Sequence, residues 1–293
     1  MSFSDFDLKA DQFFREKIAL SPMVGMFLSL PYQSNDEAET RLFPHTYDLS
    51  ALEGMEERNL LVEGGEIHEQ DDHGRPRVRA LFTPSGVLTR KMLLCFFAKW
   101  YQDPDYVFEF DRSTDARYYN QLASTFGYQN QKARQGKRYV EPLMQLIAAR
   151  FTFLYHDTIE KAEFDLKNNA NKLLFLKNDD GLLKIWRNPD FGFNCRFAVD
   201  FDRIKGMRKK VLFWNLYLFL VDSLPRIPEE RFMYVPWEFF RQVAGRGYQN
   251  LAHFKQAVKS EIPDLITVYP ALRKSISLRN PKQLEFIYAP PPI

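Results

Sequence analysis

The sequence has 293 residues, of which 45% are hydrophobic and 27% charged, and it contains 27 Phe and 14 Tyr. This composition excludes disorder over most of the chain, and the length suggests about two domains. Its apolar runs are shorter than the about 18 residues that a membrane span requires, and its acidic, mixed N-terminus is unlike a signal peptide, so we expect a cytoplasmic protein without a membrane partner.

The formal net charge of +2 conceals an asymmetry along the chain. Residues 1–79 contain 8 of the 40 basic and 16 of the 38 acidic residues, which leaves 32 basic and 22 acidic residues for the rest. The two parts therefore carry −8 and +10. A basic C-terminal body indicates a polyanionic partner, and a soluble domain with a charged lead segment explains the same numbers equally well.

Residues 1–79 are predicted to be a small N-terminal extension that ends in a linker. Residues 1–62 mix short apolar pieces with acidic runs, which is typical of an arm or a subdomain. Residues 63–79, EGGEIHEQDDHGRPRVR, are polar and contain glycine, and they show no periodicity. This pattern predicts a linker or a mobile hairpin.

From residue 84 onward, helices and strands become readable. Ser85 is placed to cap a helix whose apolar stripe runs from Leu88 to Trp100, and VFEF at 107–110 is a strand candidate. Residues 115–127 and, after a basic turn, EPLMQLIAARF at 141–151 are predicted helices. Three strand-like runs follow, NKLLFLK, GLLKIWR and CRFAVDF. The order helix, strand, helix, turn, helix, hairpin is that of a winged helix.

The same order of elements returns in the last third of the chain. Helices are predicted at 211–224, 235–245 and 247–262, followed by a strand in ITVYP and a hairpin in KSISLRNPKQLEFIYAP, with its turn at Asn280–Pro281. The sequence thus predicts an α+β protein with two tandem winged-helix domains, at 80–202 and 203–293, behind the extension at 1–79.

The third helix of the second copy has two distinct faces. Leu251, Phe254, Val258 and Ile262 fall on one face and are predicted to join the core. The opposite face carries amides, an imidazole, an amine and a hydroxyl, which are groups able to read base edges in the major groove. These residues are Gln249, Asn250, His253, Gln256, Lys259 and Ser260. The alternative is the ordinary solvated face of a core helix, although the helix-turn-helix context favours DNA.

Basic residues elsewhere are candidates for phosphate contacts, which position a protein on DNA without reading its sequence. They cluster in the turn before the third helix of the first copy, between the two copies, and before the third helix of the second copy. These residues are Lys132, Arg134, Lys137, Arg138, Arg203, Lys205, Arg208, Lys209, Lys210 and Arg246. The third helix of the first copy is expected to turn Met144, Ala148 and Ala149 outward, and these side chains cannot bond to bases.

No motif in the sequence indicates catalysis or a cofactor. The five histidines, His45, His68, His73, His156 and His253, form no paired metal motif, and a phosphate-binding loop is missing from the sequence. Glu163 with Asp165 and Lys167 has the acid-x-Lys spacing of some nucleases, which is too common to indicate one. Cys95 and Cys195 lie in apolar runs and are expected to be buried thiols without metal or disulfide.

The C-terminal part resembles a known family. NLYLFLVDSL, VPWEFFRQVAGRGYQNLAHFKQAVKSEI and ITVYPALRKSISLRNPKQLEFIYAPPPI resemble the C-terminal domain of RepA-type plasmid replication initiators. The resemblance is strongest in Trp237-Glu238, in the spacing Tyr248…Leu251…Phe254-Lys255, in Val268-Tyr269-Pro270 and in the closing Pro-Pro-Ile. Upstream, GVLTRKMLLCFFAKW and VEPLMQLIAARF resemble the family's earlier helices more loosely, so that the resemblance covers residues 80–293.

The resemblance implies a non-enzymatic protein that binds repeated origin sequences in double-stranded DNA, helps to open the duplex and recruits a host helicase or initiator. It also implies a homodimer that is exchanged for a DNA-binding monomer. One departure concerns the first recognition helix, which tends to carry several arginines in the family and here has Pro142, Met144, Ala148 and Ala149. Base reading is therefore expected from the second copy.

Two other functions fit the same pattern. A winged-helix transcription regulator that represses its own promoter would use the same DNA-binding face. A protein-interaction module would use the winged helices to dock partners and would not bind DNA. If the chain supports replication of a plasmid that lacks its own initiator, it is an initiator and not a transcription regulator. An elution profile that is insensitive to salt and free of DNA would favour the protein-interaction module.

Overall fold

The structure is a computed structural model, and it describes eleven stretches of the chain. These are residues 17–19, 22–33, 38–44, 46–48, 57–70, 73–127, 133–154, 172–189, 198–228, 232–245 and 247–292. The predicted sites at Lys132, Arg246, Cys195 and Glu163–Lys167 lie outside these residues.

The described part is a mixture of helices and short strands, which confirms the α+β class. The helices are α1 (Pro22–Ser29), α2 (Gly86–Gln102), α3 (Asp115–Phe126), α4 (Ala133–Gly136), α5 (Val140–Ala148), α6 (Phe201–Ile204), α7 (Val211–Ser223), α8 (Trp237–Ala244), α9 (Leu251–Val268) and α10 (Leu272–Ser275). Short 3-10 turns lie at Lys137–Tyr139 and Leu224–Arg226. The strands are β1 (Lys17–Ala19), β2 (Ala38–Pro44), β3 (Thr46–Asp48), β4 (Glu57–Glu63), β5 (Glu66–Gln70), β6 (Pro76–Ala80), β7 (Phe108–Asp111), β8 (Arg150–Leu154), β9 (Leu174–Asp179), β10 (Leu182–Arg187), β11 (Phe232–Pro236), β12 (Ile276–Ser277) and β13 (Gln283–Ile287).

Helix α7 lies at the centre of the core. All 13 of its residues are buried, as expected for VLFWNLYLFLVDS, which is apolar around its whole circumference. Helices α1, α2, α8 and α9 all pack against it. The helix predicted at 211–224 is therefore confirmed, and it joins the front and rear of the chain in one core.

Two three-stranded antiparallel sheets have the same arrangement. In the first, β10 lies between β7 and β9, and in the second, β13 lies between β11 and β12. Each sheet arises from a helix, a strand, further helices and two more strands: α2 to β10 forms what we call the first unit, and α7 to β13 the second unit. In the first unit, strand β8 lies between the helices and β9 and pairs in a different sheet. In each unit the last strand in sequence thus occupies the middle of the sheet.

Two of the N-terminal strands form a sheet with a strand of the first unit. Strand β4 pairs with β2 on one side and with β8 on the other, so residues 57–63 form a sheet with residues 150–154 of the first unit. Strands β5 and β6 pair only with each other in the described part of the chain, with Glu66 opposite Ala80 and Gln70 opposite Pro76. The segment predicted as a linker or hairpin at 63–79 is therefore a hairpin.

Three predicted elements differ from the structure. CRFAVDF has no strand at residues 198–200, and Phe201 begins helix α6, capped by the carboxylate of Asp200. ITVYP is not a strand, because α9 continues to Val268 and keeps Leu265 and Val268 in the core. The predicted helix at 141–151 ends at Ala148, and Arg150 begins strand β8. In the last two cases packing overrides the preference of β-branched or helix-forming residues.

A buried arginine on α2 joins the N-terminal segment to both units. Arg90 is fully buried. Its guanidinium donates to the carbonyl oxygens of Leu30 at 2.5 Å and Pro31 at 3.1 Å, and to the side-chain oxygen of Asn215 on α7 at 2.8 Å. It also lies 5.7 Å from the ring centroid of Phe27, within the range of a cation–π contact.

The contact continues from Asn215 to the end of α8. The side-chain amide of Asn215 donates to the carbonyl oxygen of Ala244 at 3.0 Å, and the hydroxyl of Tyr32 donates to the same oxygen at 3.2 Å. Ala244 is the last residue of α8 and precedes the turn into α9. This series of hydrogen bonds, which we call the polar chain, begins at Arg90 on α2 and therefore ends beside the start of the predicted recognition helix.

Replacement of Arg90 by methionine is expected to destabilise the fold by about 3 kcal/mol or more, because several buried acceptors lose a charged donor at once. Arg117→Ala is the control, since this arginine is exposed, and it should change stability by less than about 0.5 kcal/mol. The free energy of unfolding in urea measures both. Equal stability of the two variants would contradict the assigned role of Arg90.

The neighbouring residue, Lys91, is also buried. Its ammonium donates to the carbonyl oxygen of Lys205 and lies 5.6 Å from the ring centroid of Trp214. Burial lowers the pKa of Lys91 from 10.5 to about 8, because desolvation penalises the charged form. The folded protein therefore binds this proton less tightly than the unfolded chain does.

The stability of the protein should consequently rise with pH from about 8 towards 10.5, the window between the folded and the ordinary pKa of Lys91. In that window the unfolded chain binds more protons than the folded one, so removing protons favours folding. Urea unfolding of the wild type and of Lys91→Met across this range tests the sign. A rise of the same size in the variant would mean that Lys91 is not its source.

Candidate nucleic-acid interface

Helix α9 is fixed to the core along one side. Phe254, Val258 and Leu265 are fully buried, Val268 and Ile262 nearly so, and Leu251 is partly buried against the same cluster. The aromatic ring of Phe254 contacts the rings of Trp237, Phe240 and Tyr248. The predicted inner face is thereby confirmed, and it sets which side of α9 faces outward.

The outer side of α9 is exposed over two turns. All six residues that the sequence placed there are exposed, namely Gln249, Asn250, His253, Gln256, Lys259 and Ser260. His253, Gln256 and Lys259 follow one another at intervals of three residues, so their side chains form one stripe. At 1.5 Å per residue the stripe is about 9 Å long, which suits the width of a major groove.

Asn250 has a structural role that the sequence did not reveal. It is the N-cap of α9, and its side-chain oxygen accepts hydrogen bonds from the backbone N–H groups of Ala252 at 2.8 Å and His253 at 3.2 Å. A bidentate contact to adenine requires the oxygen and the amide nitrogen together. The cap occupies the oxygen, so Asn250 is not open to such a bidentate contact.

The hairpin β12–β13 is tied to α8 and α9 through its turn. The indole N–H of Trp237 donates to the carbonyl oxygen of Asn280 at 3.3 Å, and the ammonium of Lys255 donates to that of Pro281 at 2.6 Å. Lys255 also lies 5.5 Å from the ring centroid of Trp237. These contacts hold the turn beside the N-terminal half of α9.

Sequence reasoning missed two cations at this turn. Arg279 and Lys282 flank Asn280–Pro281 and are exposed. Their signal was present in the tetrapeptide Arg-Asn-Pro-Lys, which combines a turn dipeptide with two basic neighbours. The hairpin turn that Lys255 of α9 contacts thus carries two exposed cations.

The connection between α8 and α9 is short and tightly packed. The guanidinium of Arg241 donates to the carbonyl oxygen of Tyr248 at 2.7 Å and pairs with the carboxylate of Glu238, which lowers the pKa of Glu238. A Cβ atom on Gly245 would lie 2.2 Å from Cε2 of Phe254. The turn therefore requires glycine at residue 245 for close approach.

Gly245→Ala should destabilise the protein by about 1–3 kcal/mol, because the added methyl group overpacks against the Phe254 ring. Ser260→Ala on the exposed side of α9 is the control and should change stability by less than about 0.5 kcal/mol. Thermal or urea unfolding compares them. Wild-type stability in Gly245→Ala would show that the turn tolerates a larger residue.

The basic segment between the units is largely engaged with the protein. Lys209 forms ion pairs with Asp264 and, at 3.7 Å, with Glu261, both on α9. Arg203 donates to the carbonyl oxygen of Thr267 at 3.0 Å. Burial raises the pKa of Glu261, and the charge of Lys209 opposes the rise. This segment therefore braces the C-terminal half of α9.

The other basic residues of this segment that were predicted to contact phosphates differ in their exposure and pairing. Lys205 pairs with Asp202 at 2.5 Å, whereas Arg208 and Lys210 are exposed. In the first unit, Arg134, Lys137 and Arg138 are all exposed in the turn before α5. Exposure alone therefore does not distinguish Arg208 and Lys210 from the basic residues that precede α5.

Helix α5 differs from the expectation for its outer positions. Ala148 and Ala149 are buried, not outward, because the helix ends there and the chain turns into β8. Met144 is partly buried against the core. Glu141, which is exposed, forms a bidentate pair with Arg79 of β6 at 3.0 and 3.2 Å. The exposed side of α5 accordingly carries an acidic group already paired with the N-terminal hairpin.

Cys95 is buried, as expected, with its thiol 3.8 Å from the carbonyl oxygen of Thr125, and burial raises its pKa. Among the residues that the structure describes, no cluster of three or more His, Cys, Asp or Glu is placed to hold a metal ion. Within the same residues no helix is both long and apolar enough to cross a bilayer.

Comparison with known proteins adds no relative: no family model matches the chain, and neither the curated proteins nor the solved structures gave a match.

Proposed function

We propose that this chain is a plasmid replication initiator of the RepA type, which binds repeated origin sequences in double-stranded DNA through two tandem winged helices. Helix α9 is the recognition helix of the second unit, and the β12–β13 hairpin is its wing. Strand β10 with β9 forms the corresponding wing of the first unit. The order of elements in both units and the resemblance of residues 80–293 support this assignment.

The observation that carries the proposal is the division of α9 into a locked and an exposed side. Phe254 and Val258 hold the helix in the core, while His253, Gln256 and Lys259 form a polar stripe on the opposite side. A helix that enters a groove needs this division, since its inner face must resist displacement and its outer face must meet base edges.

The hairpin tip strengthens the same surface. Arg279 and Lys282 stand at the turn that Lys255 and Trp237 hold beside α9. In the proposed complex they contact phosphates on the flank of the groove that α9 occupies. Each neutralised phosphate releases condensed counterions, so that binding weakens with salt.

The first unit has a positioning role in this proposal. Its basic turn offers Arg134, Lys137 and Arg138 to the phosphate backbone, which sets register without reading sequence. Helix α5 presents Glu141 already paired with Arg79. The first unit therefore contributes affinity, and the second unit contributes sequence preference.

The biological setting follows from the resemblance and is part of the same proposal. The bound origin is opened with the help of the host helicase or initiator that the chain recruits. A homodimer gives way to a monomer when the repeats are bound. We assign the chain no catalytic step, because its proposed contribution is binding and recruitment.

The double variant His253→Ala, Lys259→Ala should bind the DNA that immediately flanks its own gene more weakly by about 2–6 kcal/mol, at about 1–3 kcal/mol for each base-reading contact. Fluorescence anisotropy with a labelled duplex measures the dissociation constant. Arg117→Ala, which removes an exposed arginine paired with Asp111, is the control and should bind as the wild type does.

An unchanged dissociation constant in the double variant would refute the role of α9. A second measurement separates an initiator from a self-repressing regulator with the same binding face. A plasmid that carries the flanking DNA and lacks its own initiator should replicate when the chain is supplied from another replicon. Binding without replication would identify the regulator instead.

A further inference from the structure

The β5–β6 hairpin has one packed face and one open face. Ile67 of β5 and Arg79 of β6 are register partners, so their side chains lie on the same face of the hairpin. Both residues are partly buried. The next register pair, His68 and Val78, lies on the other face because side chains alternate along a strand, and both of these residues are exposed. The hairpin therefore packs against the protein with one face only.

The hairpin and the residue before it contact α5 near both ends of that helix. At the start of α5, the guanidinium of Arg79 donates to both carboxylate oxygens of Glu141, at 3.0 and 3.2 Å. At the end of α5, a Cβ atom on Gly65 would lie 2.2 Å from the carbonyl oxygen of Ala148 and 3.2 Å from its methyl group. The hairpin consequently lies along α5.

The contacted side of α5 points away from the core. Leu143 and Leu146 are fully buried in the core. Because an α-helix turns by about 100° per residue, Glu141, Gln145 and Ala148 fall on the opposite side. Gln145 is partly buried and Ala148 is buried, whereas Glu141 is exposed and paired with the hairpin. This side of α5 is therefore largely covered.

The corresponding side of the second unit is open. The shared order of elements places α5 in the first unit where α9 stands in the second. On α9, the side opposite the core is exposed at His253, Gln256 and Lys259. That side is the one that enters the major groove in the proposed function. On α5, the hairpin takes the place that DNA takes on α9.

We infer that the β5–β6 hairpin is an autoinhibitory cover, which excludes α5 from the major groove until the hairpin swings away from the helix. The inference rests on the proposed function, because it assumes that both units dock on duplex DNA. It gives the first unit a closed and an open state. In the closed state, only the basic turn with Arg134, Lys137 and Arg138 reaches the phosphate backbone.

The hairpin can leave α5 without disrupting a larger sheet. Within the described part of the chain, its two strands pair only with each other. Gly64 and Gly65 join it to β4, and Gly65 has a φ of +71°, which glycine adopts without strain. Rotation at these two glycines separates Arg79 from Glu141, while β4 stays paired with β8. Hinges of this kind need only a few residues that absorb the change in backbone angles.

The ion pair is the part of the contact that a single substitution removes without disturbing the core. The side chains of Arg79 and Glu141 are 33% and 51% exposed. An ion pair this exposed stabilises a structure only weakly, so its loss shifts the balance between the closed and the open state by no more than about fivefold. The affinity for DNA follows the population of the open state, because only that state admits the duplex to α5.

The test uses the full chain and a labelled duplex from the DNA that flanks its own gene. Glu141→Gln and Arg79→Met both break the ion pair, and they change the net charge of the protein in opposite directions. Both variants should bind the duplex about two- to fivefold more tightly than the wild type, because both favour the open state. Fluorescence anisotropy measures the dissociation constants.

Three further variants separate the cover from other effects. The reversed pair, Arg79→Glu with Glu141→Arg, keeps the net charge and restores an ion pair, so it should bind as the wild type does. Val78→Ser, on the open face of the hairpin, should also leave binding unchanged. Gly65→Ala pushes a methyl group against the carbonyl oxygen of Ala148 and should tighten binding without any change of charge. Circular dichroism checks that each variant is folded.

Hydrogen exchange follows the hairpin itself. The backbone amides of residues 66–70 and 76–80 should exchange faster in the DNA complex than in the free protein, because the hairpin then no longer packs on α5. Slower exchange in the complex would show that the hairpin stays in place, and the cover would be refuted.

The binding data distinguish failure of this inference from failure of the proposed function. If Glu141→Gln tightens binding and Arg79→Met weakens it, net charge alone is responsible, and the cover is refuted while DNA binding stands. Unchanged or weaker binding by both variants refutes the cover as well. If neither the wild type nor any variant binds the duplex, the proposed function fails, and the cover fails with it.

Discussion

Arg90 donates to the backbone of Leu30 and Pro31 in the N-terminal segment and to Asn215 on α7, and it is fully buried while doing so. A guanidinium in this position loses its hydration, and the carbonyl oxygens around it must replace water in fixed geometry. The relative placement of α1, α2 and α7 depends on that replacement, because no one of these helices can move without breaking charged hydrogen bonds. The core of aromatic and aliphatic side chains supplies most of the stabilising burial, and Arg90 selects one arrangement of it.

The same contact reaches the proposed DNA surface. Asn215 and Tyr32 both donate to the carbonyl oxygen of Ala244, directly before the turn that Gly245 closes against Phe254. Helix α9 is thus held at its beginning by the polar chain from Arg90, along its inner side by Phe254 and Val258, and near its end by the ion pairs of Lys209 with Asp264 and Glu261. A rigid helix keeps its exposed stripe in one orientation, which is what a groove-reading element requires.

Much of this arrangement was readable from the sequence, for definable reasons. The apolar run of α7 and the two faces of α9 follow from helical periodicity, which is a local property. The role of Arg90 was hidden because a charged residue in an apolar helix signals burial only through partners distant in sequence. The extension of α9 through ITV was missed because β-branched residues favour strands locally, whereas Leu265 and Val268 are held by tertiary packing. The hairpin at 66–80 was predicted no further than a linker or hairpin, since its polar residues show no periodicity and give no sign of the ion pair between Arg79 and Glu141.

Truncation experiments that map functional regions are affected by three contacts of the N-terminal segment. These contacts are the hydroxyl of Tyr32 and the carbonyl groups of Leu30 and Pro31. A shortened protein that starts at residue 80 would lose three partners of the polar chain at once and would expose the side of α7 on which α1 packs. Lost activity in such a fragment would report a displaced α8–α9 turn, even if no residue before 80 ever approached a ligand. Point substitutions that leave these hydrogen bonds intact are therefore the better way to distinguish residues that contact a ligand from residues that support the fold.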